Sequence, residues 1–321
     1  MSGAGKGGTA AALCLFAWGM VAVTFAFLIE NWLMFWHGWA PARGFPAAEA
    51  WPLAGLYALA LALAAAWALT GAGPLRTEAR RISTLSAFIV RAAFWAVVLV
   101  GLADAAISFL RIEGFLVRIV GEDLNAQLGL ARGRAPLVHL PLIALGVVVA
   151  ALTRGTSFIW LALLVVAAEL TLVISRFVFS YEQAFMSDLV RFWYSALFLL
   201  ASAHTLLQDG HVRVDVLYAG MSRRAKALVN GIGAVVFGMS LCWLILILGT
   251  AGPASTLNAP ILRLEVGQQA SGMFVRYLMA GFLGLFAVTM LLQFCAMVLS
   301  AAADWRDEPG ATPAPTPVAG H

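Results

Sequence analysis

Four ionisable side chains lie within long apolar runs of the sequence, where any chemistry would take place away from bulk water. Arg91 and Asp104 share one run, Glu169 lies in a second, and His204 lies near the end of a third. Such groups can relay protons or bind ions inside a membrane, because a charge at bilayer depth is costly unless it is paired or hydrated. They are therefore the first candidates for a functional site.

A structural role for these four residues is favoured over a proton relay. Arg91 and Asp104 are thirteen residues apart, or about 20 Å along a helix, so they cannot pair with each other. A relay would need a chain of such groups at related depths. We expect Arg91 and Glu169 to find partners on adjacent helices or to extend towards the membrane surface.

The sequence gives no support for catalysis, so we expect a protein that is not an enzyme. The motifs HExxH and GxSxG are missing, as is a phosphate-binding glycine loop in a suitable place. No pair of histidines is arranged to ligate haem from facing helices. The three cysteines lack metal-ligand spacing and are expected to pack as small apolar side chains. We expect no catalytic residue, no metal and no cofactor.

Composition places the chain among the integral membrane proteins. Hydrophobic residues make up 62% of it and charged residues 11%, with a mean hydropathy of +0.90, which is outside the range of soluble domains. No basic block with interleaved aromatic residues is present in a soluble segment, which excludes nucleic-acid binding.

Apolar runs of about 17–25 residues can cross the bilayer as helices. The predicted fold is an all-α, polytopic membrane helical bundle with about eight transmembrane helices, at residues 10–33, 51–71, 84–110, 137–153, 156–178, 188–207, 227–250 and 275–301.

The basic residues of the short loops predict that both chain ends are cytoplasmic. Lys and Arg accumulate in cytoplasmic loops, and two basic stretches, at 76–81 and 213–226, fall on one side if eight helices start from a cytoplasmic N-terminus.

The loop at 111–129 would lie outside. Its apolar residues recur at three- and four-residue spacing, which predicts an amphipathic helix, either on the membrane surface or packed on neighbouring spans. Residues 304–321 are predicted to be a disordered tail.

A charged stretch, "TLLQDGHVRVDVLYAGMSRRAKALV" at 205–229, separates the sixth and seventh apolar runs. Gly210 is suited to end a helix as a left-handed cap. The following "HVRVDV" alternates polar residues with valines, which favours a short extended segment at the membrane interface. Ser222 can cap the next helix. These local patterns predict an anchored inner loop, but they do not explain its particular set of charges.

The stretch "QDGHVRVDVLY" followed by "SRRAKALVN" resembles the signature loop of the small membrane subunit of TRAP (tripartite ATP-independent periplasmic) transporters, the DctQ-type family. "VISRFVFS" at 173–180 is similar to the end of the first span in that family, and "SDLVRFWY" at 187–194 to the start of its second. "LEVGQQASGM" at 264–273 is similar to the loop before its last span. The resemblance covers about residues 156–303. The matching residues are Arg176, Asp188, Arg191, His211, Arg213, Asp215 and Glu265.

The resemblance implies a four-helix DctQ-like core at 154–303, preceded by an extension at 1–153 with four additional spans. It implies a subunit of the bacterial inner membrane that has no substrate site of its own. Such a subunit scaffolds a large DctM-type permease for sodium-driven uptake of an organic acid, which a periplasmic solute-binding protein delivers.

The matching residues fall into two sets with different expected roles. The inner set is expected to hold its loop against the membrane surface and the permease through charge-assisted hydrogen bonds; it consists of His211, Arg213 and Asp215. The outer set is expected to organise the face where a binding protein docks; it consists of Arg176, Asp188, Arg191 and Glu265.

Two other classes of function remain open from the residues alone. An autonomous carrier with eight spans would be indicated by an inverted internal repeat, and no convincing self-similarity links the two halves. A subunit of a membrane redox complex would be indicated by the spectrum of a haem or a quinone.

Overall fold

The computed structural model describes residues 8–155, 158–207, 218, 220–266 and 271–310. The spans are helices because, in lipid, every backbone N–H and C=O must find its partner within the same segment. The longer helices are α1 (Gly8–His37), α2 (Ala48–Gly71), α3 (Leu75–Ile112), α5 (Ala131–Leu152), α6 (Phe158–Phe179), α7 (Ala184–Leu207), α8 (Arg223–Gly249) and α10 (Arg276–Trp305). Two short helices, α4 (Leu116–Leu128) and α9 (Asn258–Arg263), lie between them.

The prediction of an all-α membrane protein with eight spans is confirmed. In the described residues, eight helices are long and apolar enough to cross a membrane. The largest difference is at α3, which begins at Leu75 rather than at 84. Hydropathy marks only the apolar part of a helix, whereas the helix itself continues through the charged stretch at 76–81.

The chain forms two compact units, each described here by itself. The first comprises residues 1–84, 212–240 and 291–321, and the second comprises residues 85–211 and 241–290. Each unit takes residues from both sides of residue 154. The division into an N-terminal extension and a DctQ-like core therefore stays a prediction about the sequence.

A buried carboxylate organises part of the first unit. Glu78 at the start of α3 is fully buried, and its Oε2 accepts hydrogen bonds from the indole N–H groups of Trp18, at 2.9 Å, and Trp67, at 3.0 Å. Its Oε1 accepts from the Gly73 N–H at 2.7 Å and from Arg81 at 2.8 Å. These contacts connect α1, α2 and α3 around one charge whose oxygens all have donors.

Charged residues at three helix ends also meet within the first unit. Arg76 of α3 and Arg223 of α8 both contact Asp304 near the end of α10, at 2.6 and 3.2 Å. Arg224 pairs with Asp307 at 3.3 Å. The start of α3, the start of α8 and the end of α10 therefore lie on one side of this unit.

The second unit is packed around aromatic and aliphatic side chains. Phe192 and Trp193 of α7 are buried against residues of α3 and α10, and the ring of Phe192 lies 5.2 Å from that of Phe282. Gly146 of α5 faces the backbone of α3, so closely that an added Cβ would lie 2.7 Å from the Ala96 nitrogen. Small residues at such points let membrane helices approach closely.

The predicted amphipathic helix at 111–129 is divided in the structure. Its first two residues complete α3, and a turn at Gly114 precedes α4. Within α4, Gly121 has φ 81° and ψ 171°, which interrupts the regular helix. Ile119 is exposed, whereas Leu116 is buried. One continuous apolar stripe is therefore not formed, and the position of α4 at a membrane surface stays a prediction.

The last helix extends to Trp305, two residues into the segment predicted as a tail. Glu308 still accepts a hydrogen bond from Arg76 through its backbone oxygen. Residues 311–321 lie outside the described residues, so the predicted disorder of the tail stays a prediction.

We expect Gly146→Ala to lower the free energy of unfolding by about 1–3 kcal/mol, because the new methyl group would press on the α3 backbone. The matched control is Gly281→Ala in α10, where an added Cβ meets nothing within 4 Å and alanine favours the helix. Unfolding by SDS titration in mixed micelles measures both variants. Equal stability of the two variants would contradict the close approach of α3 and α5.

Candidate functional site

The most deeply buried charged group of the second unit surrounds Asp104 on α3. Asp104, Arg134 and His139 have no solvent exposure. The Oδ1 of Asp104 accepts hydrogen bonds from Arg134 Nη1 at 2.9 Å and His139 Nε2 at 3.0 Å. Its Oδ2 accepts from the backbone N–H of Phe274 at 2.8 Å. We call Asp104, Arg134, His139 and Tyr277 the Asp104 cluster.

The local structure of α5 brings Arg134 and His139 to the same carboxylate. Residues 135–139 form a π-helical turn, in which the N–H of Leu140 bonds the oxygen of Ala135 five residues earlier. This wider turn lets side chains five positions apart face the same way. Arg134 and His139 have that spacing, and both reach Asp104.

Arg134 makes further contacts that satisfy most of its guanidinium. Its Nε donates to the oxygen of Leu128 at 2.8 Å, and its Nη1 also contacts Ser108 Oγ at 3.0 Å. The guanidinium carbon lies 4.1 Å from the centre of the Phe274 ring, which adds a cation–π interaction. Its Nη2 has no hydrogen-bond acceptor among the described residues.

The hydrogen bonds of the Asp104 cluster continue from the carboxylate to Tyr277. An ionised carboxylate only accepts hydrogen bonds, so the Nε2 of His139 donates to Asp104. The Nδ1 of His139 lies 2.6 Å from the hydroxyl of Tyr277, which can either donate to that nitrogen or accept from it.

The Asp104 cluster is suited to holding the second unit together rather than to chemistry. Both oxygens of Asp104 are used, and every member is buried. No group of three or more His, Cys, Asp or Glu residues that could hold a metal occurs in the described part of the chain. The cluster joins Asp104, Arg134 and His139, which precede residue 154, to Phe274 and Tyr277, which follow it.

The other three intramembrane candidates are not brought to this cluster. Arg91 donates from Nε to the oxygen of Ala150 on α5 at 3.0 Å. The His204 ring lies 5.6 Å from the ring of Phe158. Glu169 is exposed on α6.

The outer set of family-like residues forms three separate pairs rather than one group. The guanidinium of Arg176 bonds Glu182, with its Nε 2.7 Å from Oε2. Arg191 lies 3.8 Å from Asp188. Glu265 lies 3.7 Å from Arg276. Two of the three partners, Glu182 and Arg276, were not identified from the sequence as site residues.

Asp188 also shares a structural role with Asp104. Its Oδ2 accepts a hydrogen bond from the backbone N–H of Met273 at 3.0 Å, next to the Phe274 N–H that bonds Asp104. Two carboxylates on two different helices thus hold adjacent N–H groups just before α10 begins.

Two titratable groups in the short linker between α6 and α7 have shifted pKa values. The hydrogen bonds from Arg176 lower the pKa of the Glu182 carboxyl, because they favour its charged form. The pKa of Tyr181 is raised to about 12. The larger cause is partial burial of the hydroxyl, and the second is the hydrogen bond that it donates to Glu113 at 2.7 Å. At neutral pH Glu182 is therefore ionised and the Tyr181 hydroxyl keeps its proton.

The inner set, His211, Arg213 and Asp215, lies outside the described residues, as do Gly210 and the valines of the predicted extended segment. The described residues continue with Tyr218 and then from Gly220 into α8. There the predicted cap is confirmed, because Ser222 Oγ accepts from the N–H of Ala225 at 3.3 Å.

Arg134, His139 and Tyr277 were missed as site residues by reasoning from the sequence. A signal was present, because Arg134 and His139 stand at the start of an apolar run and Asp104 stands near the end of an earlier one. Opposite charges near such ends can meet if the loop between them is folded back. The π turn that aligns the two side chains is not visible in the sequence.

We expect Asp104→Leu to destabilise the protein by about 3–5 kcal/mol, because it leaves the Arg134 charge buried without its counter-charge. The double variant Asp104→Leu with Arg134→Met should recover most of that loss, since it removes both charges and keeps the volume apolar. SDS titration of the purified variants measures the difference. A double variant that is no more stable than the single one would show that the pair does not act as a unit.

Comparison with known proteins adds one finding. Residues 165–304 match the family model described as the DctQ component of the tripartite ATP-independent periplasmic transporters. Neither the curated proteins nor the solved structures gave a match. The matched region begins within α6 and includes α7, α8 and α10. Residues 165–304 are therefore similar to the DctQ component of the tripartite ATP-independent periplasmic transporters, and four further helices that are long and apolar enough to span a membrane precede α6.

Proposed function

We propose that this protein scaffolds the large DctM-type permease subunit of a TRAP transporter. On this proposal the permease carries out sodium-driven symport of an organic acid, which a periplasmic solute-binding protein delivers. The single observation that carries the proposal is the match of residues 165–304 to the DctQ component.

The internal polar groups of the spans support a scaffold rather than a carrier. Glu78 and Asp104 are buried, and both have their donors within the chain. Alternating-access carriers use interrupted helices and clustered polar groups near the bilayer midplane to hold substrate. In the described residues, the eight spans are continuous helices that include short π turns. This architecture favours a fixed partner for a moving permease.

The charge distribution supports a location in the bacterial inner membrane with both termini in the cytoplasm. The starts of α3 and α8 and the end of α10 meet through Arg76, Arg223 and Asp304. An even number of spans separates the N-terminus from each of these three helix ends. A cytoplasmic N-terminus would therefore place all three ends on the cytoplasmic side. Their excess of Arg fits the cytoplasmic side.

The two sets of family-like residues have separate proposed roles. The inner set, at 211–215, would bind the permease and the membrane surface. The outer set would form the face that the binding protein approaches. Arg191 suits contact with a partner, because 71% of its side chain is exposed.

We expect the tagged chain, purified from native membranes in mild detergent, to carry a large multi-span permease in stoichiometric amount. Mass spectrometry identifies the partner, and a visible spectrum tests for a chromophore. A chain that purifies alone, or with a haem or flavin spectrum, would overturn the proposed function.

We expect Arg213→Ala to lower the amount of co-purified permease severalfold while the chain still inserts into the membrane. The reason is the loss of charge-assisted hydrogen bonds from the inner loop. The matched control is Arg154→Ala, which removes an exposed positive charge from another loop proposed to be cytoplasmic. If both variants assemble and support uptake like the parent, the inner loop serves only as an orientation signal.

A further inference from the structure

Helix α6 is the least covered of the spans. In its most apolar 18-residue window 6% of residues are buried, against 61% in α10. Leu161 and Leu172 are its buried residues, and it packs against α7. Most of the α6 circumference therefore remains available to lipid or to a partner.

Glu169 makes this exposed helix unusual. It is the twelfth of the 22 residues of α6, so it lies about 15 Å along the axis from either end at ~1.5 Å per residue. Its side chain is exposed and forms no hydrogen bond or ion pair with any described residue. A glutamate side chain is too short to reach the headgroup region from that depth.

Lipid does not provide what Glu169 needs. The hydrocarbon core has no hydrogen-bond donors, and an ionisable side chain there is costly unless another group pairs with it. Phospholipid phosphates are anions and lie at the surface. A side chain of another membrane-spanning segment at the same depth would supply such a donor.

The neighbours of Glu169 form a surface on which a helix could pack. Residues three, four, seven and eight positions apart share one face of a helix. Val166 and Phe177 on this face are 63% and 77% exposed, and Val173 is also exposed. Arg176 belongs to the same face, but its charge is already paired with Glu182. The α6 face is defined as Val166, Glu169, Val173, Arg176 and Phe177.

We propose that the α6 face is the docking surface for the large permease subunit, and that a Lys or Arg side chain from a membrane helix of that subunit pairs with Glu169. This inference rests on the proposed function, because it takes the permease as the partner. Charge complementarity decides the kind of partner. Glu169 is an exposed acidic residue near the middle of α6. The charge of Arg176 acts on it electrostatically, but that guanidinium is bonded to Glu182, and Glu169 forms no salt bridge with a described residue.

Photo-crosslinking in native membranes tests which face binds the permease. The crosslinking residue p-benzoylphenylalanine is placed at Val166 or Phe177, and as controls at Leu61 or Leu63 on α2, which are also exposed apolar positions. We expect crosslinks to the permease, identified by mass spectrometry, from the α6 positions and not from the α2 positions. Permease crosslinks from α2 alone would overturn the docking face and leave the proposed function intact. No permease crosslink from any position, together with no co-purified permease, would overturn the proposed function itself.

Substitution of Glu169 tests the ion pair. We expect Glu169→Leu to lower the amount of co-purified permease at least tenfold, because it leaves a cation of the permease unpaired in the bilayer. Glu169→Gln should have a smaller effect, since the amide still accepts a hydrogen bond. The matched control is Thr171→Val, an exposed polar position on the other side of α6 whose hydroxyl bonds its own helix at Ala167.

The stability of the isolated chain separates a docking defect from a folding defect. Glu169 has no ion pair or hydrogen bond within the described chain, so Glu169→Leu should unfold at the same SDS concentration as the parent or a higher one. Normal co-purification of the Glu169→Leu variant would overturn the ion pair. A loss of permease accompanied by an unstable chain would overturn it as well, because the effect would then lie in folding.

Discussion

The second unit depends on a carboxylate that has no access to water. Asp104 is fully buried, so its charge is tolerable only if nearby groups donate to both oxygens. The donors come from α5 and from the segment that leads into α10. The hydrogen bonds to this one carboxylate therefore fix the positions of three parts of the chain, both before residue 165 and within the region that matches the DctQ component.

The same solution appears independently in the first unit. Glu78 collects two indole N–H groups, one backbone N–H and one guanidinium. Tryptophan suits this task because its ring packs as an apolar body while its N–H reaches a polar partner. In both units an acidic residue on α3 acts as an acceptor for donors on neighbouring helices. Helices α1, α2 and α3 are thus joined by specific polar contacts as well as by apolar packing.

Glu169 differs from these two residues in a way that bears on function. A buried carboxylate with donors inside the chain stabilises the fold, whereas an exposed carboxylate at mid-depth needs a donor from elsewhere. On the proposed function, Asp104 and Glu78 would make the subunit rigid within itself, and Glu169 would lie on the surface that meets the permease.

The sequence alone determined the membrane class, the eight spans, the Ser222 cap and the resemblance to the DctQ component. These properties depend on local hydropathy, on helix length and on short motifs, all of which are readable along the chain. The sequence did not identify Arg134, His139 and Tyr277 as the partners of Asp104. Tertiary structure decided those partners, because they depend on which helices pack together and on a π turn that aligns side chains five residues apart. Tertiary structure also decided that α4 is interrupted at Gly121. The apolar residues continue at helical spacing on both sides of this glycine, but its positive φ ends the regular helix there.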